Sequence, residues 1–129
     1  MANKAFFIMH LNEHIQYLKK IEATLAGKGN FQGSSHYDCQ LGQWLYGTGV
    51  QEVAALQNEQ AQQIFNSLFE PHERFHLVTQ QLLEKQSTLD NPSIQLAITE
   101  MHKLSQILSQ QLLALDVVAM AKEKNEKPS

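Results

Sequence analysis

The chain offers very little sulfur chemistry: its 129 residues include one cysteine, Cys39. A lone thiol cannot close an internal disulfide, so a reducing, cytoplasmic setting is expected, with Cys39 serving as metal ligand, sensor or filler. Basic charge is equally short. Ten Lys and Arg stand against thirteen Asp and Glu, a formal net charge of −3, which leaves no patch to track a phosphate backbone and sets nucleic acid aside as a partner. No apolar run approaches the roughly 18 residues that a membrane-spanning helix requires. The short run from Ala5 to Met9 lacks the length and cleavage site of a secretory signal, so no membrane role is expected. Strand patterns with turn punctuation are missing too, as are internal repeats. What remains, 43% apolar and even in composition, suffices for one domain with a core.

Helical periodicity fills most of the chain. Phe7, Leu11, His14, Leu18, Ile21 and Leu25 recur at alternating spacings of four and three, a bundle seam ending at Gly27-Lys28-Gly29. Residues 28–38, rich in Gly, Ser, Asn and Gln, read as a loop; Cys39 to Leu45 then forms a short helix closed by Gly47-Thr48-Gly49. A third segment runs from about Val50 to Gln86, with a helix expected over Ala61 to Gln86 and a kink at Pro71. Asn91-Pro92 opens the last helix as cap and first-turn proline, and Ile94, Ile98, Met101, Ser105, Leu108, Leu112, Leu115 and Ala119 carry its seam. The fold class is therefore all-α, an antiparallel four-helix bundle with a short additional helix, over residues 1–121; residues 122–129, KEKNEKPS, read as a disordered charged tail.

Three histidines sit where apolar residues belong. His14 lies in the first seam, and at 100° per residue His72 and His76 share a stripe with Ala61, Phe65, Leu68, Thr79 and Leu83. Burying such rings unpartnered costs a few kcal/mol apiece, since each has a donor and an acceptor to satisfy. A single seam histidine is ordinarily satisfied by a backbone carbonyl. Three of them together with a lone thiol are the ligand set zinc prefers, and His14, Cys39, His72 and His76 would fill a tetrahedral shell with one zinc per chain. Gly42 would let a facing helix pass close, while Leu41 and Trp44 would cover the metal or simply pack in the core.

These residues resemble the chemoreceptor zinc-binding (CZB) domain family of bacteria. Its pattern is matched by His14 and Tyr17, then after twenty-one residues by Cys39, Leu41, Gly42 and Trp44, then after twenty-seven more by His72 and His76. The resemblance spans 14–76 by motif and about 5–120 in helical layout. It implies that His14, Cys39, His72 and His76 are the zinc ligands. It also implies a four-helix bundle with a short extra helix, and a regulatory, usually homodimeric module attached to chemotaxis receptors or diguanylate cyclases. Here Met1 lies just before the first helix and the chain ends soon after the last, so a stand-alone module is expected, acting on such a partner in trans or through self-association.

His72-Glu73-Arg74-Phe75-His76 also satisfies the H-E-x-x-H pattern of zinc metalloproteases, with Glu73 as base. Catalytic zinc keeps an open position, whereas His14 and Cys39 would close this one, so no enzyme activity is expected and Glu73 reads as a solvated surface residue. A di-iron carboxylate bundle needs inward Glu-x-x-His pairs that the sequence does not place. His10 is expected at the surface, His36 in a loop beside the site and His102 exposed, while Tyr17 and Tyr46 are expected to pack and Met9, Met101 and Met120 to fill apolar space. Leu104, Ile107 and Gln111 on neighbouring stripes of the last helix suggest a second apolar face for a homodimer. Functionally, a saturated His3Cys site can report zinc supply or oxidants through Cys39, whose loss as a ligand would let its segment swing away. The competing reading is a structural or zinc-buffering module without a signal.

Overall fold

The computed structural model describes residues 5–126 and places them in six helices: α1 (Ala5–Leu25), α2 (Gln40–Leu45), α3 (Thr48–Ala55), α4 (Glu59–Asn66), α5 (Phe69–Lys85) and α6 (Asn91–Glu126). No strand occurs among the described residues, so the chain is all-helical, as its periodicity predicts. Each helix end has a local cause. Gly27, at φ 78°, closes α1, and Lys28 N–H reaches back to the Ala23 carbonyl at 2.8 Å, the left-handed glycine stop. The α6 cap lies one residue earlier than expected: Asp90 Oδ1 accepts from Ser93 N–H at 2.9 Å, and Asn91 already belongs to the helix. Asn58 caps α4 in the same way, accepting from Ala61 N–H at 2.9 Å.

The expected kinked helix over Ala61 to Gln86 is two helices. Pro71 has no N–H for the carbonyl of Ser67, so α4 ends at Asn66 and α5 restarts at Phe69, with Pro71 in its first turn where a missing donor costs nothing. The apolar stripe survives the break, since Ala61, Phe65, Leu68, His72, His76 and Thr79 are all buried. At the other end, α6 continues to Glu126 and so enters the segment read as a charged tail. Its last turns are mostly Ala, Lys and Glu, strong helix formers. Residues 127–129 lie outside the described residues.

Helix α6 is the centre of the assembly and packs against α1, α4 and α5. Glu22 meets His102 and His14 meets Ser105 on one side, while Arg74 meets Glu100 and Ser67 meets Gln111 on the other, so α6 runs antiparallel to α1 and to the α4–α5 pair. The α6 seam is buried as its spacing predicts, with Met101, Leu108, Leu112 and Leu115 sealed from solvent. By length and composition α6 would also suit a membrane span over Asn91–Ala121; its buried residues supply the core of this bundle.

Candidate metal centre

Helix α2 has only six residues, yet Leu41, Trp44 and Leu45 are buried against the bundle, which fixes the residue at its start. That residue is Cys39. It occupies the N-cap position in extended conformation, and its Sγ accepts from Gly42 N–H at 3.2 Å. Sulfur thus takes the role an oxygen usually fills at a helix start, in a geometry that favours negative charge on it. Gly42 is required by its own chain rather than by a facing helix: the His36 carbonyl presses onto its Cα, leaving no room for a Cβ. Gly49 is held similarly, because a Cβ there would meet the Trp44 ring at 2.9 Å.

One turn apart on α5, the His72 and His76 rings stand 4.7 Å centre to centre, and His72 Nε2 lies 3.2 Å from Cys39 Sγ. The ligand atoms of Cys39, His72 and His76 all fall within 4.8 Å of one another. Ligands at about 2.0–2.3 Å from a tetrahedral zinc stand roughly 3.3–3.6 Å apart; the Cys39–His72 pair already meets that span, and the widest pair exceeds it by about an ångström. The donor set fits as well. His76 Nδ1 donates to the Ser34 carbonyl at 2.9 Å; a carbonyl can only accept, so the proton sits on Nδ1 and Nε2 keeps its lone pair. His72 Nδ1 is buried without a hydrogen-bond partner, a cost that a bare core does not reward.

Sequence reasoning placed four residues here, and the structure groups three. His14, 3% exposed, lines the same cavity of about 220 Å³ as Cys39, His72 and His76, but its Nε2 bonds the Ser105 hydroxyl at 2.9 Å and its ring packs edge-on to Phe75. Exposed Gln16, Lys20 and Asp38 line the cavity's outer part. Leu41 also lines it, whereas Trp44 packs on His10 and Phe65 and donates Nε1–H to Glu52.

The electrostatics suit a cation that binds neutral imidazoles. Burial, then repulsion from His76, lowers the pKa of His14 to about 4. His72 falls to about 3 through burial and then its histidine neighbours, and His76 to about 4 through burial, partly opposed by the Ser34 carbonyl. All three are therefore uncharged near neutrality. Burial raises the Cys39 thiol, and the Gly42 N–H works against that rise.

The remaining residues divide. His10, expected at the surface, is 5% exposed: α2 folds across α1 and stacks Trp44 on its ring at 4.4 Å, with Nδ1 at 2.8 Å from Glu13. Tyr17, expected only to pack, also bonds. Its hydroxyl accepts from Ser34 N–H at 2.9 Å and stands 3.3 Å from His76 Nδ1, clipping the loop to α5. Tyr46 packs on the rings of His36, Tyr37 and Phe69. His36 stays outside the cluster, its ring 6.4 Å from His72 and 6.5 Å from His76. His102 is exposed and pairs with Glu22. Glu73 is exposed and does not line the cavity, unlike the base of a metalloprotease.

The model of the chemoreceptor zinc-binding domain family matches residues 14–83, which include every histidine and cysteine just placed around the cavity. The chain belongs to the chemoreceptor zinc-binding domain family. No curated protein and no solved structure gives a significant match. The family's cation is zinc, and the Cys39, His72 and His76 cluster offers the nitrogen and sulfur donors that zinc prefers. The CZB match stops within α5, so α6 and the residues it presents to the site lie beyond it.

Proposed function

We propose that this CZB domain is a regulatory module that holds one zinc with His14, Cys39, His72 and His76 and reports, through Cys39, either zinc supply or oxidant exposure. The observation that carries the reading is the group of Cys39, His72 and His76 within 4.8 Å, inside the matched segment. When bound, zinc would keep the Cys39 sulfur ionised despite its burial. A peroxide then transfers one oxygen to that sulfur. The thiolate is oxidised by two electrons to a sulfenate and the peroxide is reduced to water, which leaves a poorer ligand. Half-burial of Cys39 beside a solvent-facing cavity supports access for such an oxidant.

The movable part is smaller than the whole Cys39 segment. Leu41, Trp44 and Leu45 dock α2 by their own apolar burial, whereas residues 32–38 put no buried apolar side chain into the core. The reading is therefore that loss of Cys39 as a ligand frees the loop up to Cys39 while α2 stays in place. Output then passes to a signalling partner in trans, of the chemoreceptor or diguanylate cyclase kind, or through a homodimer. Leu113 and Val117, 45% and 63% exposed on an α6 face that carries no charge from Leu104 to Ala121 except buried Asp116, support pairing with a second copy.

The test is elemental analysis of protein purified without added metal, beside Cys39→Ser and His76→Ala variants. One zinc per wild-type chain, reduced or lost in the variants, is expected; a wild type free of zinc overturns the reading. Faster hydrogen exchange over 32–39 after chelation or peroxide, with 41–45 unchanged, distinguishes a switch from a purely structural or buffering site, which would give no such local response.

A further inference from the structure

Resting on that zinc reading, a residue beyond the CZB match deepens it. Two of the site's histidines have one ring nitrogen tied to a serine: His76 Nδ1 to the Ser34 carbonyl and His14 Nε2 to the Ser105 hydroxyl, each at 2.9 Å. Ser105 is 6% exposed and stands on the inward face of α6 beside Met101, Leu104 and Leu108. A hydroxyl in such a stripe costs stability unless it is bonded, and in a helix it commonly bonds back to the carbonyl four residues earlier. Here it reaches across to α1 instead.

We propose that Ser105 is the positioning residue of the zinc centre. It accepts the Nε2–H of His14 and so selects the tautomer whose Nδ1 carries the lone pair for the metal, tying zinc occupancy to α6. The His76 pairing sets the precedent, with Ser34 taking one nitrogen and the other left for the cluster. A hydroxyl both donates and accepts. With Ser105 donating to Nε2, the proton lies on Nδ1 and His14 is withheld; with Ser105 accepting, Nδ1 is free to bind and the serine O–H is released to the α6 backbone. The same 2.9 Å bond therefore reads differently with and without metal.

The experiment is titration of the full chain with cobalt(II) as a zinc probe. The readouts are affinity and the intensities of the visible ligand-field and thiolate charge-transfer bands, in wild type, S105A, S105T, H14A and H14A/S105A. Expected are a 10- to 100-fold weaker affinity and a weaker tetrahedral spectrum in S105A, recovery in S105T, and no further effect of S105A once His14 is gone. An S105A protein that binds like wild type, or whose loss persists undiminished on the H14A background, overturns the inference. A wild type that takes up no cobalt overturns the zinc reading itself and this inference with it.

Discussion

Replacing Gly42 by alanine isolates the geometry that delivers Cys39. A Cβ at this position collides with the His36 carbonyl oxygen and stands 2.8 Å from the carbonyl carbon, so the turn before α2 must retreat by well over an ångström to reach ordinary contact of roughly 3.3–3.6 Å. That turn carries Cys39, whose N–H bonds the Ser35 carbonyl at 3.4 Å and whose Sγ takes the Gly42 N–H. Metal bonds tolerate about 0.2 Å. The displaced sulfur is then lost as a ligand, and dividing roughly 10–16 kcal/mol of structural zinc binding among four ligands makes that about 3 kcal/mol, near a hundredfold in affinity. Overpacking costs the metal-free fold a further ~1–3 kcal/mol. Chelator competition measures the affinity, and the thiolate charge-transfer band of the cobalt form reports the sulfur directly. Gly42→Ala protein with wild-type affinity and an intact band would refute the assignment of Gly42 to Cys39 placement.

Two further outcomes follow from the same site. Tyr17→Phe removes the hydroxyl that holds Ser34 N–H and neighbours His76 Nδ1, so zinc affinity should fall about tenfold and exchange over 32–38 should quicken; unchanged values would leave Tyr17 a packing residue only. Acidification should destabilise the metal-free protein. The folded values of His14, His72 and His76 lie below the usual 6.5, so the unfolded chain takes up protons first. Stability is full above about pH 6.5 and is lost as pH falls toward 4, reaching 3 for His72. The drop from 6.5 to about 4 corresponds to roughly 3 kcal/mol for His14 or His76 and the drop to about 3 to somewhat more for His72, with the three not additive. Melts of EDTA-treated protein from pH 7.5 to 4.5 check this; a melting temperature flat across that range contradicts it.

How far the sequence reaches can be seen residue by residue. Period alone located the α6 seam from Met101 to Ala119, and it grouped His72 and His76 with Phe65 and Leu68, because all of them face one core. The same regularity concealed the break between α4 and α5: the stripe continues in phase through Ser67 and Leu68, so only the missing N–H of Pro71 marks the restart. His10 is buried against expectation for a related reason. Its angle on α1 places it off the seam, but burial there is decided by Trp44 arriving from α2, which a single-helix projection does not contain. Ser105 occupies one position of the α6 seam, and Tyr17 is expected only to pack. A polar group within an otherwise apolar seam was the available signal for Ser105, and it becomes specific only when α1 is laid antiparallel along α6.

The balance between fold and metal then decides what kind of zinc site this is. The α6 seam with Phe65, Phe75 and Leu82 forms an apolar core that does not line the cavity, so the long helices have a source of stability independent of the ion. Buried neutral imidazoles work the other way, since each is tolerated only while its nitrogens are engaged. On the proposed reading, loss of the metal would leave the bundle in place and be felt locally, where α5 meets the loop ahead of Cys39. A zinc finger without metal has no such remaining core and unfolds outright. On the proposed reading, metal binding would be coupled mainly to the order of one loop and to the α1–α6 contact at Ser105, the separation of scale that a reporter needs and a purely structural zinc does not.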